Sequence, residues 1–369
     1  MTDIIKHIVV TLSFVVLTGI LSILCLTQES TAVSDSERRP LAQMPEYSAG
    51  KLLSGKFFPG FESYTVDQFP LRDSFRALKA FVQTNILGRS DNNGYFKVDD
   101  YIAKTDYPLN QDSVAHAAER IQFIYDKYLK SGNHKVLYSV IPDKSYFLAE
   151  ANGYPAMDYG KLLQAMQDQL NDDMTYVDIF KQLSIEDYYK TDTHWSQDRL
   201  SGVVQQLGSA LGILNQLPEE YTEQKLTPFY GVYSGQSALP CNPEEIRYLT
   251  NAVLENCIVH NTETGKTGKI YDLERFYGQD PYEIFLSGSQ AILTIENPAN
   301  TSGDRLILFR DSFGSSLAPL LVEAYSEVVL VDIRYVSSAF LDRFLELTGE
   351  EDVLFLYSTL VLNSSSAMK

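Results

Sequence analysis

Two short stretches carry residue types that together make a nucleophilic hydrolytic or acyl-transfer site. The first, Tyr188-Tyr189-Lys190-Thr191-Asp192-Thr193-His194-Trp195-Ser196, holds an Asp and a His two residues apart, beside the only Trp of the chain. The second, Leu306-Ile307-Leu308-Phe309-Arg310-Asp311-Ser312-Phe313-Gly314-Ser315-Ser316, ends an apolar run on a serine where a helix can start. A serine hydroxyl is a poor nucleophile until a base takes its proton, and the base is usually a His held in one tautomer by a carboxylate. Five histidines are present. His7 adjoins an apolar N-terminal run, His116 falls within an expected helix, His134 sits in a Gly-Asn turn, and His260 ends an expected strand. His194 alone has a carboxylate two residues away and follows a sheet strand, where the sites of α/β proteins form. Ser312 would be the nucleophile, His194 the base and Asp192 its orienter, with free N–H groups of the following helix facing an oxyanion. Blander roles compete: Asp192 as a helix cap, His194 as a hydrogen-bonded core residue, and Asp311, Ser312, Ser315 and Ser316 as N-caps.

Other chemistries fit less well. Asp192 and His194 are metal-ligand types, but a catalytic zinc needs about three protein ligands, and no H-E-x-x-H or second His cluster is present. Gly265-Lys266-Thr267-Gly268-Lys269 lacks the glycine spacing of a phosphate-binding loop. No metal and no cofactor are therefore expected. Trp195 and Tyr189 either stack on a sugar ring or pack under the His loop. Lys144 and Arg310 are further candidates for the substrate side.

The elements that must position these groups follow an alternating rhythm. A helix is expected from Asp112 or Ser113 to about Leu129, a strand over 135–141 ending at Pro142-Asp143-Lys144, a helix over 159–170 and a strand over 174–180. The Asp-His segment comes next, then a helix to about Leu211. Strand, polar loop, helix is the pattern of an α/β fold with a parallel sheet. Residues 214–275 interrupt it and read as a β-containing insertion over one end of the sheet, with strands at 246–249 and 258–260 and a hairpin turn at 265–269. The rhythm returns with strands over 291–295, 305–309, 328–332 and 353–357 and helices over 315–324 and 339–347. Upstream, 27–45 reads as a linker becoming a docked arm. Phe57, Phe61 and Tyr64, then Leu71, Phe75, Leu78 and Val82, repeat at helical spacing on either side of Pro70. Asn92-Asn93-Gly94 is a turn signal. The expected division is 1–30, an arm over 31–110, and a main domain over 111–369 with its insertion.

The chain has 369 residues, 44% of them hydrophobic and 12% aromatic, enough for a substantial core. A net charge of −18 argues against nucleic acid as a partner. The run over 8–26 is apolar and uncharged, and as a helix it approaches the roughly 30 Å of a bilayer core. Lys6 and His7 precede it while Glu29, Asp35 and Glu37 follow, which puts the body of the chain outside the cytoplasm. The run reads as a retained anchor, giving a single-pass protein of the bacterial cell membrane, or as a cleaved signal that would release a secreted protein. An oxidising compartment permits a disulfide between Cys241 and Cys257; the alternative is two unrelated buried thiols.

Asp192-Thr193-His194-Trp195 ahead of Asp311-Ser312-Phe313 resembles the bacterial DHHW protein family, which is similar to SGNH-hydrolase-like alginate O-acetylation proteins. Glu37-Arg38-Arg39-Pro40-Leu41-Ala42, Asp67-Gln68-Phe69-Pro70-Leu71-Arg72-Asp73 and Ile141-Pro142-Asp143-Lys144 extend the resemblance in order along the chain. It implies an SGNH-hydrolase-like three-layer α/β/α domain with a mostly parallel sheet, a β-containing insertion and an N-terminal helical arm. By motif, it gives Ser312, His194 and Asp192 the three triad roles. Thr193 departs from the family, which has a second His there, and because that middle position points away from its neighbours little cost is expected. Gly288 and Ser289 stand where an oxyanion donor is expected. The implied function is an extracytoplasmic O-acetyltransferase or acetylesterase acting on a cell-envelope or exported polysaccharide. A membrane-bound O-acyltransferase would be its acetyl donor. A catalytically inactive glycan-binding or scaffold protein of the same fold is the alternative.

Overall fold

The computed structural model describes residues 2–218 and 220–369. By compactness the chain divides into two units, one made of the N-terminal residues through Asn92 with Gly235–Pro240, the other of Asn93–Ser234 with Cys241–Lys369. The Asn93-Gly94 turn opens the second unit with a hairpin, Tyr95–Val98 with Tyr101–Lys104.

The first unit contains helix α1 (Thr2–Thr27), α2 (Phe57–Asp67) and α3 (Arg72–Phe81). As the proline predicts, α2 and α3 are separate helices with Pro70 between them. Of the described helices, α1 alone is long and apolar enough to cross a membrane, over Asp3–Cys25. The expected arm folds back on α2. Arg39 makes a two-pronged ion pair with Asp67 at 2.7 and 2.9 Å, and the same carboxylate accepts from Ala42 N. The Glu37-Arg38-Arg39 and Asp67-Gln68-Phe69 motifs are thus the two halves of one clasp.

The second unit is built on an eight-stranded sheet whose strands are β1 (Lys135–Ile141), β2 (Thr175–Tyr176), β3 (Ile258–Asn261), β4 (Thr267–Gly268), β5 (Ile292–Glu296), β6 (Arg305–Arg310), β7 (Glu327–Val331) and β8 (Asp352–Ser358). Their order is β4-β3-β5-β7-β6-β8-β1-β2. From β7 through β2 every pairing is parallel, while β5, β3 and β4 extend the other edge in antiparallel fashion. The central strands are near-continuous apolar runs because both faces are covered. Alternate residues enter opposite layers. Leu137, Ile141, Leu306, Leu308, Leu354 and Leu356 share one core. Val136, Tyr138, Ile307, Phe309, Val353 and Phe355 share the other with helices α4 (Gln111–Ile124) and α5 (Tyr159–Gln169). Helix α6 (Ser201–Leu211) covers the first face through Val203, Leu207 and Leu211. The three-layer α/β/α architecture is borne out.

Several local expectations differ from the structure. Asn110, not Asp112 or Ser113, caps α4 by accepting from Ser113 N. The strand expected over 174–180 keeps only Thr175 and Tyr176, because the chain leaves the sheet edge to form the site loop. The insertion is divided. Thr222–Phe229 and Glu244–Thr250 form a separate hairpin, but β3 pairs with β5 and so belongs to the central sheet. The helices expected over 315–324 and 339–347 break into short turns, the first around Pro319, which has no N–H to donate.

Candidate active site

The parallel strands β1, β6 and β8 are neighbours, and the residues just after them include the buried polar Asp143, Lys144, Asp311 and Thr359. Ser312 follows β6 in a tight turn. Asp311 holds that turn from within: its Oδ1 accepts from Phe313 N (3.0 Å) and its Oδ2 from Ser358 N at the end of β8 (2.8 Å). Helix α7 (Gly314–Leu317) starts at once. A Cβ on Gly314 would lie 2.6 Å from Arg310 Cβ, so the turn can be this sharp only with glycine there.

The His segment is a miniature hairpin. Tyr188 and Trp195 form a bridge, Tyr189 N donates to His194 O (3.1 Å), and Ser196 N donates to Asp187 O (2.7 Å). Its tip presents Asp192, Thr193 and His194. Asp192 is fully buried and His194 nearly so, whereas Ser312 is half-buried. His194 Nδ1 lies 2.6 Å from Asp192 Oδ1, and His194 Nε2 lies 2.7 Å from Ser312 Oγ. The three side chains therefore form one hydrogen-bonded chain, from residues more than a hundred positions apart.

Three of the other four histidines are occupied elsewhere. His116 bonds Ser365, His134 pairs with Glu351 and His260 with Glu296. Among the described residues no group of side chains could hold a metal ion.

Residues that sequence reasoning passed over hold the triad in place. Asp192 Oδ1 accepts from His194 N (3.1 Å) and Oδ2 from Val232 N (2.8 Å), so both oxygens are engaged in orienting the imidazole. Val232 comes this close because Gly231 precedes it; a Cβ there would meet Asp192 N at 2.3 Å. Tyr282 stacks flat on the His194 ring, centroids 3.7 Å apart and planes within 2°. Its hydroxyl donates to Ser316 Oγ, the acceptor also used by Trp195 Nε1. Glu244 accepts from Lys190 N (2.8 Å) and Thr191 N (2.7 Å), bracing the hairpin from outside. None of these partners has a local sequence signal, apart from glycine at 231.

The four substrate-side candidates have mainly structural positions. Trp195 is completely buried (0% exposed) and packs edge-on against Phe313, so it cannot stack on a sugar. Arg310 is also buried; Nη1 reaches Asp311 O at 3.4 Å, and burial pulls its pKa down. Lys144 is buried beneath the hairpin, where Nζ donates to the carbonyls of Tyr189 (3.0 Å) and Lys190 (3.1 Å) and lies over the Tyr233 ring. Desolvation pulls its pKa down to about 7, partly offset by Asp192, Glu244 and Asp143. Burial likewise pushes the neighbouring Asp143 up to about 6. Tyr189 packs on Phe229 and also lines a cleft of about 530 Å³ with Tyr101, Asp198, Arg199 and Arg247, on the side of the hairpin away from its tip.

Two further expectations change. Gly288 N donates to Phe285 O, so this amide is engaged within its own turn, and Ser289 follows it with no bond to the triad. Ser312 N, by contrast, has no acceptor among the described residues. Cys241 and Cys257 are separate free thiols, not a disulfide: Cys257 lies in the sheet core with Val259 and Leu254, and Cys241 lies outside that core. Thr193 does point away from Asp192 and His194; its hydroxyl accepts from Tyr233.

The second unit is thus a three-layer α/β/α fold with this chain of side chains at the carboxyl ends of its parallel strands. The resemblance to the DHHW family is also borne out, since the family model described as DHHW protein matches residues 149–331. A DHHW family protein from Eubacterium siraeum is 21% identical, with a TM-score of 0.60 over 75% of this chain and 94% of that one. Bacillus cereus PatB1 is 19% identical, with a TM-score of 0.56 over 73% and 96%; it is also known with a sulfonyl adduct. A more distant likeness is to the O-acetyltransferase domain of Pseudomonas putida AlgJ (12% identity, TM-score 0.47, 73% and 92% coverage). No curated protein sequence matches significantly.

Proposed function

We propose that the chain is an extracytoplasmic serine O-acetyltransferase or acetylesterase acting on a cell-envelope or exported glycan, held at the membrane by α1. The observation that carries this is the Ser312–His194–Asp192 chain, with links of 2.7 and 2.6 Å. In the first half-reaction Ser312 Oγ attacks the acyl carbonyl carbon of the donor while its proton passes to His194 Nε2. Asp192 stabilises the imidazolium and keeps its Nδ1–H directed inward. Ser312 N–H, unused by the fold, would donate to the oxyanion. Collapse of the tetrahedral intermediate breaks the bond to the leaving group, which takes the proton from Nε2, and leaves an ester on Ser312. In the second half-reaction His194 takes a proton from a glycan hydroxyl or from water. The new oxygen displaces Ser312 Oγ, which recovers that proton.

A membrane-bound O-acyltransferase partner that passes acyl groups outward would supply the donor, since acetyl-CoA is not expected outside the cell. The sulfonyl adduct of the PatB1 structure supports the choice of probe. A sulfonyl fluoride should add one mass increment to the wild type and none to Ser312→Ala. A wild type that takes up no label, and releases no acetate from an aryl acetate, would leave an inactive glycan-binding protein as the better reading.

A further inference from the structure

Helix α3 is amphipathic, but its two faces are turned opposite to those of an ordinary soluble protein. Phe75 and Leu78, together with Leu71 at the N-cap immediately before the helix, form one apolar stripe, and they are 43%, 56% and 65% exposed. The opposite face, with Arg72, Arg76 and Ala80, is turned inward. Arg72 and Arg76 pair with Glu37, Arg76 also donates to Gly235 O (2.8 Å), and Ala80 is fully buried. Phe58 and Val66 on α2 and Phe81 at the end of α3 are likewise exposed. An isolated exposed Leu is ordinary, but a whole apolar stripe beside further aromatic residues marks an interaction surface.

Two observations identify what covers it. The first is attachment to α1. Ser30 Oγ bonds Tyr64 OH (3.0 Å), and Thr31 N donates to Gln68 Oε1 (3.0 Å), so the C-terminal end of α2 is pinned a few residues beyond Thr27, where α1 ends. The second is charge. Residues 1–92 carry nine Lys and Arg and nine Asp and Glu, so the whole net charge of −18 lies in residues 93–369. A neutral unit can approach anionic head groups that would repel the rest of the chain.

We propose that the unit following α1 is an interfacial membrane-binding element, with the Leu71-Phe75-Leu78 stripe of α3 set into the outer leaflet of the bilayer that α1 crosses. Apolar faces of such helices enter about 5–10 Å into the boundary between head groups and acyl chains. The inference rests on the anchor reading of α1, but not on the activity of Ser312.

The test uses the full chain reconstituted in phosphatidylcholine vesicles whose lipids are brominated part-way down the acyl chain. Phe75→Trp, or Leu78→Trp should the first variant fold poorly, adds a reporter to the stripe. The native Trp195, buried in the second unit, gives a constant background. Bromolipid is expected to remove roughly half or more of the added emission, consistent with that depth, and the emission should be blue-shifted. A Val16→Trp variant reports on α1 itself. Quenching at position 16 but not at 75 or 78 would overturn the proposal and leave the anchor standing. No quenching at any of the three would remove the anchor reading and the proposal together. A blue-shifted but unquenched reporter in a protein that self-associates would overturn it in favour of a second copy on the stripe. Sulfonyl labelling of the same samples reads the activity separately.

Discussion

The helices of the two units use the same ingredients with opposite results. Helices α4, α5 and α6 turn their apolar faces into the two cores of the sheet, with Val114, Ile121, Leu162, Val203 and Leu207 buried. Helix α3 has an equally regular stripe and turns it outward, because its charged face is claimed by Glu37 and by the Gly235 carbonyl. Periodicity shows that a helix has two faces, but which face is buried depends on the partners the fold offers it. In the second unit the partner is a sheet with both sides apolar. In the first it is an ionic clasp, and the apolar side is left for a different solvent.

Perturbing each unit can break that comparison. The largest effect belongs to Ser312→Ala, which should remove sulfonyl labelling and lower acyl turnover by roughly 10⁴-fold or more. A variant that still turned over would dissociate the triad from the chemistry. Asp192→Asn leaves the fold in place but loses control of the His194 tautomer, so turnover should fall roughly 10³–10⁴-fold. Retained turnover with intact labelling would show that the Val232 contact suffices to orient the loop. Trp195→Ala empties a fully buried site and frees Ser316 of one donor. Denaturant unfolding should record a loss of about 3–5 kcal/mol, and a much smaller loss would mean the loop packs less tightly than its contacts imply.

Lys144 provides a pH test. Its folded pKa is depressed to about 7 from an ordinary 10.5, so across that window the unfolded chain binds the extra proton. Its contribution to stability therefore rises with pH through the window and is lost as pH falls through 7. Lys144→Met should flatten the rise in thermal midpoint between about pH 7 and 9. It should also cost about 1–3 kcal/mol, because the Tyr189 and Lys190 carbonyls lose their donor. An unchanged pH profile would mean that burial does not depress the Lys144 ammonium. The smallest effect should come from the other unit. Leu78→Ser should shift stability by no more than about 0.5 kcal/mol in detergent and leave labelling untouched. A loss as large as that of a core residue would show that α3 buries its stripe against protein after all.

Much of the second unit was legible in the sequence. The sheet strands announce themselves as apolar runs of strand length bounded by polar loops, and five of them lie where expected. His194 stands out by elimination among five histidines, whereas Ser312, equally readable as a helix cap, rests on its pairing with His194 and on the family resemblance. Less legible were elements whose form depends on distant neighbours. The segment over 174–180 has strand composition but leaves the sheet after Tyr176, although β1 beside it continues to Ile141. The segment at 258–261 looked peripheral and is a sheet strand, because β5 runs antiparallel and offers it an edge.

What the sequence alone determined is the set of groups and their local form: a serine after a strand, an Asp and a His on a short loop, an apolar N-terminal helix and an α/β rhythm. These depend on residue type and spacing over a few positions, where backbone preference and side-chain periodicity act. Only the tertiary structure decided that the loop and the turn meet within hydrogen-bonding distance, that Tyr282, Val232, Glu244 and Lys144 hold them there, and that Trp195 braces the site instead of facing substrate. It also decided that Cys241 and Cys257 stay apart and that the stripe on α3 faces outward. Each of these depends on contacts between residues far apart in the chain. Whether a side chain is buried, paired or exposed is decided by the neighbour that arrives, and no local pattern encodes that neighbour.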